Sequence, residues 1–179
     1  MRLLLFGCTG FVGSELVPRL LKADHQLTVV SRRIAGGFET ERSEGRLVWL
    51  QLDPSNPTTW SDNDLLDALQ QADGVVNLAG EPIAEKRWTP AHQRELENSR
   101  LETTRLLVKA LADCSSAPGV LVNASAIGYY GTSLSTCFVE TSPAGKDFLA
   151  SLCRRWEDQA AAVPSSVRQV TLRIGIVLA

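Results

Sequence analysis

Short apolar runs alternate with longer amphipathic segments along the whole chain. The apolar runs predict strands at residues 3–6, 27–30, 47–52, 74–78, 120–123 and 167–178. Helical spacing of apolar residues between them predicts helices over residues 11–22, 65–71, 90–113 and 146–163. The strands are apolar throughout, as expected when helices cover both faces of a parallel sheet. The alternation therefore predicts an α/β fold, a doubly wound parallel sheet of the Rossmann NAD(P)-binding type.

No shift in composition divides the chain, so we predict a single domain over residues 1–179. The Gly-rich, charged segment 32–46 is expected to be a surface loop, with or without a helical turn. The sixth predicted strand runs almost to the last residue. We expect the chain to stop at or just after this strand and to lack most of a C-terminal substrate-binding subdomain, or else to have that edge covered by a partner.

Composition excludes several classes of protein. The formal net charge is −2 and basic residues are interspersed with acidic ones, which is unlike the basic stripe of a nucleic-acid-binding protein. The apolar runs are too short to span a membrane or to form a secretion signal. The four cysteines are far apart and form no metal-binding pair. We expect reduced thiols in a cytoplasmic compartment.

A glycine-rich segment lies between the first predicted strand and the first predicted helix. Its spacing, G-x-x-G-x-x-G, is typical of a turn that binds the pyrophosphate of a dinucleotide at a helix N-terminus. Three glycines in an ordinary turn are the alternative. The candidate cofactor-binding residues here are Gly7, Thr9, Gly10, Phe11, Val12 and Gly13.

The residues after the second predicted strand indicate which cofactor binds. Enzymes that use NAD usually have an acidic residue here, which binds the ribose 2′-hydroxyl. This chain has Ser31, Arg32 and Arg33, which suit a 2′-phosphate and favour NADP(H). A solvated basic turn is the alternative.

Two further strand ends carry candidate cofactor contacts. Asp53 follows the third strand, where it either lies near the adenine or forms a turn before Pro54. Leu78, Ala79 and Gly80 end the fourth strand, where small residues allow the backbone to run beside a cofactor. A plain turn is the alternative for these three.

Arg100 interrupts the apolar stripe of the long predicted helix. A charge facing the interior needs a partner, because an unpaired buried charge is costly. A cofactor phosphate would satisfy it, and so would the carboxylate of Glu95 or Glu97.

Other segments, taken together, resemble a known family: Arg87–Thr89, Asn98–Thr104, Gly128–Gly131, Asp147–Leu149 and Trp156–Glu157. With the glycine loop, they resemble the extended and atypical short-chain dehydrogenase/reductase superfamily, and within it the poorly characterised epimerase family. That family includes sugar-epimerase-like bacterial proteins, the plant giant-chloroplast protein and cyanobacterial relatives described as cell-division-inhibitor-like. The resemblance covers the whole chain, although complete members are considerably longer. It implies NADP(H) contacts at the residues above and also at Glu95 and Leu178.

The superfamily's catalytic residues are only partly present. Its members use a Ser or Thr, a Tyr that exchanges the proton, and a Lys four residues later that lowers the pKa of the Tyr. No Lys follows either tyrosine of this chain at that spacing, and alignment through Glu157 places Leu149 and Cys153 at the two positions. The remaining candidate catalytic residues are Ser125, which could equally be a small residue closing a strand, and Tyr130.

Two functional hypotheses follow. The first is an NADP(H)-dependent, epimerase-like oxidoreductase that acts on a small polar molecule. The second is a catalytically silent NADP(H)-binding regulatory protein that works through a protein partner, as the division-related relatives suggest. Both hypotheses share every predicted cofactor contact, and neither involves a nucleic acid, a membrane span or a metal.

Overall fold

The structure, a computed structural model, describes residues 1–177. One parallel sheet has the strand order β3-β2-β1-β4-β5-β6. Its strands are β1 (Arg2–Phe6), β2 (Gln26–Ser31), β3 (Leu47–Gln51), β4 (Gly74–Asn77), β5 (Val120–Ala126) and β6 (Arg168–Ile174). This order confirms the predicted doubly wound Rossmann sheet, and the chain changes direction across the sheet between β1 and β4.

Helices connect the strands. They are α1 (Phe11–Lys22), α2 (Glu39–Ser43), α3 (Asn63–Gln71), α4 (Pro90–Asp113) and α5 (Phe148–Ala161), with short 3-10 helices at Pro57–Ser61 and Ile127–Tyr130. Side-chain caps fix where three of the helices begin. Thr89, Asp62 and Asp147 cap α4, α3 and α5 by accepting backbone N–H bonds.

Helices cover both faces of the central strands, which accounts for their apolar character, whereas the edge strand β6 carries Arg168, Gln169, Thr171 and Arg173 and is only partly buried. Successive side chains of β1 point to opposite faces, so Leu4 and Phe6 lie in one core and Leu5 lies in the other. The first core is completed by α3 and α4, and the second by α1 with β2 and β3. These buried layers hold the carboxyl ends of the central strands in fixed positions.

The structure refines the predicted bounds. Strand β6 ends at Ile174, earlier than the predicted 178, and Leu178 lies outside the described residues. The segment 32–46 contains the short helix α2 and is otherwise irregular. Among residues 1–177, none of the helices combines the length and apolar character needed to cross a bilayer.

Candidate functional site

The glycine loop follows β1 at the carboxyl edge of the sheet, next to the point where the strand order reverses. Gly7 has φ +72°, and a Cβ there would lie 2.5 Å from the backbone N of Ala79. A Cβ on Gly13 would lie 2.3 Å from the backbone O of Cys8. Side chains at these two positions would push the loop away from β4 and push α1 away from β1. The two glycines therefore allow the close packing that shapes the loop.

The space in front of the loop is open. A Cβ on Gly10 would meet only the carbonyl O of Gly7, at 3.7 Å. Gly10 is also the N-cap of α1 and provides no side-chain cap, while Phe11 and Val12 are exposed beside it. The first N–H groups of a helix have no intrahelical acceptor and carry partial positive charge. The loop and α1 therefore fit an anionic group such as a pyrophosphate.

Ser31 organises the turn that carries the two arginines. Its side chain is buried, its hydroxyl donates to the carbonyl O of Arg33, and its oxygen accepts the Trp49 indole N–H at 2.8 Å. The hydroxyl predicted to contact a 2′-phosphate is thus already bonded within the protein. The side chain of Arg32 is 68% exposed, and Arg33 is exposed as well. These guanidinium groups are the accessible cations at the end of β2.

The other predicted strand-end contacts lie around the same loop. Leu78 donates its backbone N–H to the carbonyl O of Phe6 at 2.9 Å, which brings Ala79 against Gly7. Asp53 accepts hydrogen bonds from the backbone N–H and the hydroxyl of Ser55, at 3.0 and 2.7 Å. Asp53 therefore forms a turn through Pro54, and its contact with an adenine stays a prediction.

Arg100 reaches the carboxyl edge from α4. Its guanidinium packs against Gly80, where a Cβ would lie 2.8 Å from Cζ, and Cζ lies 5.4 Å from the ring centre of Trp156. One of its nitrogens donates to the carbonyl O of Leu96 at 3.2 Å. Burial lowers the pKa of this guanidinium, because removal from water disfavours the charged form.

The two carboxylates considered as partners of Arg100 are bound elsewhere. Glu95 pairs with Lys86 at 3.2 Å and with His92 at 3.1 Å, and Glu97 pairs with Arg155 at 2.6 Å. Among the described residues, no carboxylate forms an ion pair with Arg100. The charge of Arg100 is therefore available to an anionic ligand at the carboxyl edge.

Charged side chains pair with one another at the carboxyl edge, between the ends of β2 and β4. Glu81 lies 2.8 Å from the Lys86 ammonium and 3.6 Å from Arg32, and its side chain is only 14% exposed. The hydrogen bond from Lys86 is the main cause that lowers the pKa of the Glu81 carboxyl, and Arg32 adds to it. Glu81, His92 and Glu95 offer atoms close enough to share a metal ion. The Lys86 ammonium already bonds both carboxylates, so a metal would have to displace it.

A second cluster connects the two candidate catalytic residues. The Ser125 hydroxyl donates to Glu157, whose carboxylate accepts two hydrogen bonds from Arg173 at 2.9 and 2.8 Å. Arg173 also donates to the phenol oxygen of Tyr130 at 2.7 Å and stacks 3.6 Å from the ring centre of Tyr129. The hydrogen bond with Glu157 is the main cause that raises the pKa of Arg173, which stays charged.

This cluster borders a cleft of about 920 Å³ beside β6. Tyr130, Arg173 and Glu157 line the cleft together with apolar side chains such as Phe138. Ser125 is only 3% exposed, so most of its surface is closed to a ligand in this conformation. Tyr130 is the candidate catalytic residue that faces the cleft.

Helix α5 bears the residues at the positions expected for Tyr and Lys. Leu149 packs near Gly128, and a Cβ added at Gly128 would lie 3.5 Å from the Cβ of Leu149. Cys153 is buried beside Ser125, and burial is the main cause that raises the pKa of its thiol. Sequence reasoning used Glu157 only as an alignment marker and missed Arg173. The signal for Arg173 was a charge inside the otherwise apolar run Leu172–Ile174.

Comparison with known proteins agrees with this architecture. The model of the NAD dependent epimerase/dehydratase family matches residues 3–152. The "Epimerase family protein SDR39U1 homolog, chloroplastic" of Arabidopsis thaliana is 37% identical over 174 residues, which are 96% of this chain and 48% of that protein. Human "Epimerase family protein SDR39U1" is 37% identical over 181 residues, 99% of this chain and 55% of that protein. The chain thus spans about half the length of these curated relatives.

Solved structures share the fold. The crystal structure of human epimerase family protein SDR39U1 (isoform2) with NADPH has a TM-score of 0.77 and 34% identity, and covers 97% of this chain and 53% of that one. The Bordetella bronchiseptica enzyme WbmG, in complex with NAD and UDP, has a TM-score of 0.74 at 20% identity, covering 97% of this chain and 52% of that one. The second likeness shows the fold alone.

Proposed function

Because the chain belongs to the NAD dependent epimerase/dehydratase family, we propose that it binds NADP(H) across the carboxyl edge of its sheet. The glycine loop and the N-terminus of α1 would hold the pyrophosphate, and Arg32 with Arg33 would hold the 2′-phosphate. The observation that carries this proposal is the pair of accessible arginines after β2, where an enzyme specific for NAD has an acidic residue. The human relative crystallised with NADPH supports the same cofactor.

We propose an oxidoreductase or epimerase-like activity on a small molecule, with the substrate beside β6. The nicotinamide, when bound, supplies or accepts a hydride. Tyr130 is the side chain we assign to proton transfer, because it faces the cleft and its phenol oxygen accepts an N–H from Arg173. Its own O–H can then be donated to a ligand. Ser125 gives its only proton to Glu157, so it helps to position this cluster.

A catalytically silent NADP(H)-binding protein is the second candidate, and a specific observation favours it. Leu149 and Cys153 occupy the two positions on α5 where the superfamily has its Tyr and Lys, and Cys153 is buried. A general acid or base contributes about 10²–10⁴-fold to a rate, and α5 provides neither residue. Such a protein would act through a partner that recognises the cofactor-bound form.

Titration of the purified protein with NADPH and NADH tests the cofactor assignment. Arg32→Ala should weaken NADPH binding roughly 10- to 100-fold, the effect of losing a charge-assisted hydrogen bond, and should leave NADH binding nearly unchanged. Arg42→Ala is a matched control. This exposed arginine lies in α2, just before the start of β3, and so at the amino edge of the sheet rather than at the carboxyl edge proposed to bind the cofactor. Equal NADPH affinity in Arg32→Ala and Arg42→Ala would refute the assignment.

Turnover separates the two candidate functions. A panel of carbonyl and sugar-nucleotide substrates is tested with the wild type and with Tyr130→Phe, following nicotinamide absorbance for net oxidation or reduction and separating the products for epimerisation, which leaves the cofactor unchanged. An enzyme should oxidise, reduce or epimerise one of them, and Tyr130→Phe should lower kcat while leaving NADPH affinity unchanged. Tight NADPH binding without turnover across the panel would favour the silent protein.

A further inference from the structure

One ion pair bridges the carboxyl end of β1. Arg32 directly follows β2 and Glu81 follows β4, and β1 lies between these two strands in the sheet. A guanidinium nitrogen of Arg32 lies 3.6 Å from a carboxylate oxygen of Glu81. The pair therefore passes over the strand end where the glycine loop begins at Gly7.

The two members of this pair are held very differently. Glu81 has a second partner, since its other carboxylate oxygen lies 2.8 Å from the Lys86 ammonium. Its backbone N–H donates to the hydroxyl of Ser99 at 2.9 Å. The side chain of Glu81 is 14% exposed and that of Arg32 is 68% exposed. Arg32 can therefore move away while the carboxylate stays in place.

We propose that Glu81 determines how strongly the protein distinguishes NADP(H) from NAD(H), by competing with the 2′-phosphate for Arg32. This inference rests on the proposed function. In the free protein the Glu81 carboxylate occupies Arg32, so a phosphate must displace it. Lys86 then keeps the Glu81 carboxylate nearby, where its negative charge repels the phosphate now bound to Arg32. Both effects weaken NADP(H) binding. They do not act on NAD(H), which lacks the 2′-phosphate.

The opposite role for Glu81 makes the opposite prediction. If Glu81 served to orient Arg32 toward the cofactor, its loss would leave Arg32 disordered and would weaken NADPH binding. The sign of the change in NADPH affinity therefore decides between competition and positioning.

Equilibrium titration of Glu81→Gln with NADPH and NADH provides the test. Glutamine keeps the size of the side chain and an oxygen that can accept from Lys86, but it removes the negative charge. The expected result is NADPH binding tighter by roughly two- to fivefold at low salt, in keeping with a partly exposed ion pair, with less gain at high salt. NADH affinity should not change. Glu85→Gln is the control, since this exposed carboxylate on the same segment forms no ion pair among the described residues.

A double-mutant cycle links the effect to Arg32. In the Arg32→Ala background, most of the gain from Glu81→Gln should disappear, because there is no guanidinium left to compete for. Unchanged or weaker NADPH binding in Glu81→Gln would overturn the inference while leaving the proposed function intact, provided that Arg32→Ala still weakens NADPH binding. If Arg32→Ala has no effect on NADPH binding, the proposed function itself fails. If far-UV circular dichroism shows that Glu81→Gln is misfolded, Glu81→Asp replaces it, because the shorter side chain withdraws the carboxylate from Arg32. Glu81→Asp should bind NADPH more tightly than the wild type, by less than the gain expected of Glu81→Gln. Unchanged NADPH affinity in Glu81→Asp would then refute competition.

Discussion

Replacing Gly13 by alanine should destabilise the protein, although alanine is ordinarily the better helix residue. A Cβ at this position would lie 2.3 Å from both the Cα and the O of Cys8. These are backbone atoms of the glycine loop and cannot turn aside as the end of a side chain would. Helix α1 would therefore have to move away from β1, opening the layer formed by Val17 and Leu21.

The magnitude follows from two opposing terms. Alanine in place of glycine inside a helix stabilises by about 1 kcal/mol. Overpacking in a closely packed interior costs about 1–3 kcal/mol and sometimes more, and a rigid backbone contact falls at the upper end. We therefore expect a net loss of about 2 kcal/mol in the free energy of unfolding, a large share of the roughly 5–15 kcal/mol that stabilises a typical domain.

Urea unfolding followed by tryptophan fluorescence measures this loss. Gly36→Ala is the control, because a Cβ there would meet nothing within 4 Å and the residue does not have positive φ. Its free energy of unfolding should stay within about 0.5 kcal/mol of the wild type. Equal stability of Gly13→Ala and Gly36→Ala would refute the argument that Gly13 is required for the contact between α1 and the glycine loop.

Two further predictions concern buried and partly buried polar groups. Thr104→Val should lower the free energy of unfolding by about 2–4 kcal/mol. The buried Thr104 oxygen accepts from Asn77 at 3.0 Å and from Trp156 at 2.8 Å, and both donors would lose that acceptor. A change below about 0.5 kcal/mol in urea unfolding would contradict this. The hydrogen bond from Lys86 lowers the pKa of the Glu81 carboxyl below its usual 4.5. The ionised carboxylate therefore stabilises the folded protein at pH values above 4.5, and this stabilisation is lost as the pH falls through the lowered pKa. Thermal melts from neutral to acidic pH should accordingly show a shallower loss of stability in Glu81→Gln than in the wild type, and identical pH profiles would count against the ion pair.

The sequence predicted the sheet well for a physical reason. Strands buried on both faces are continuous apolar runs, which hydropathy detects. The glycine loop is formed by residues adjacent in the sequence, so its glycine spacing alone predicts the turn. The end of β6 was placed too late because apolar residues continue past Gly175, and hydropathy alone does not mark where strand pairing stops.

The polar contacts of the site were harder to foresee. The hydroxyl of Ser31 is used by Trp49, and Arg173 joins Tyr130 to Glu157 across different elements. Such pairs are separated by many residues and follow no periodicity, so only the folded chain brings them together. The accessible charge of Arg32 could be predicted, but its pairing with Glu81 could not.

Hydrogen–deuterium exchange, measured by mass spectrometry with and without saturating NADPH, tests the central claim most directly. If NADP(H) binds across the carboxyl edge of the sheet, exchange should slow in the peptides containing residues 7–13 and 31–33. Exchange should stay unchanged in residues 39–46, which precede β3 at the opposite edge. Protection confined to other parts of the chain, with none at residues 7–13, would contradict the account.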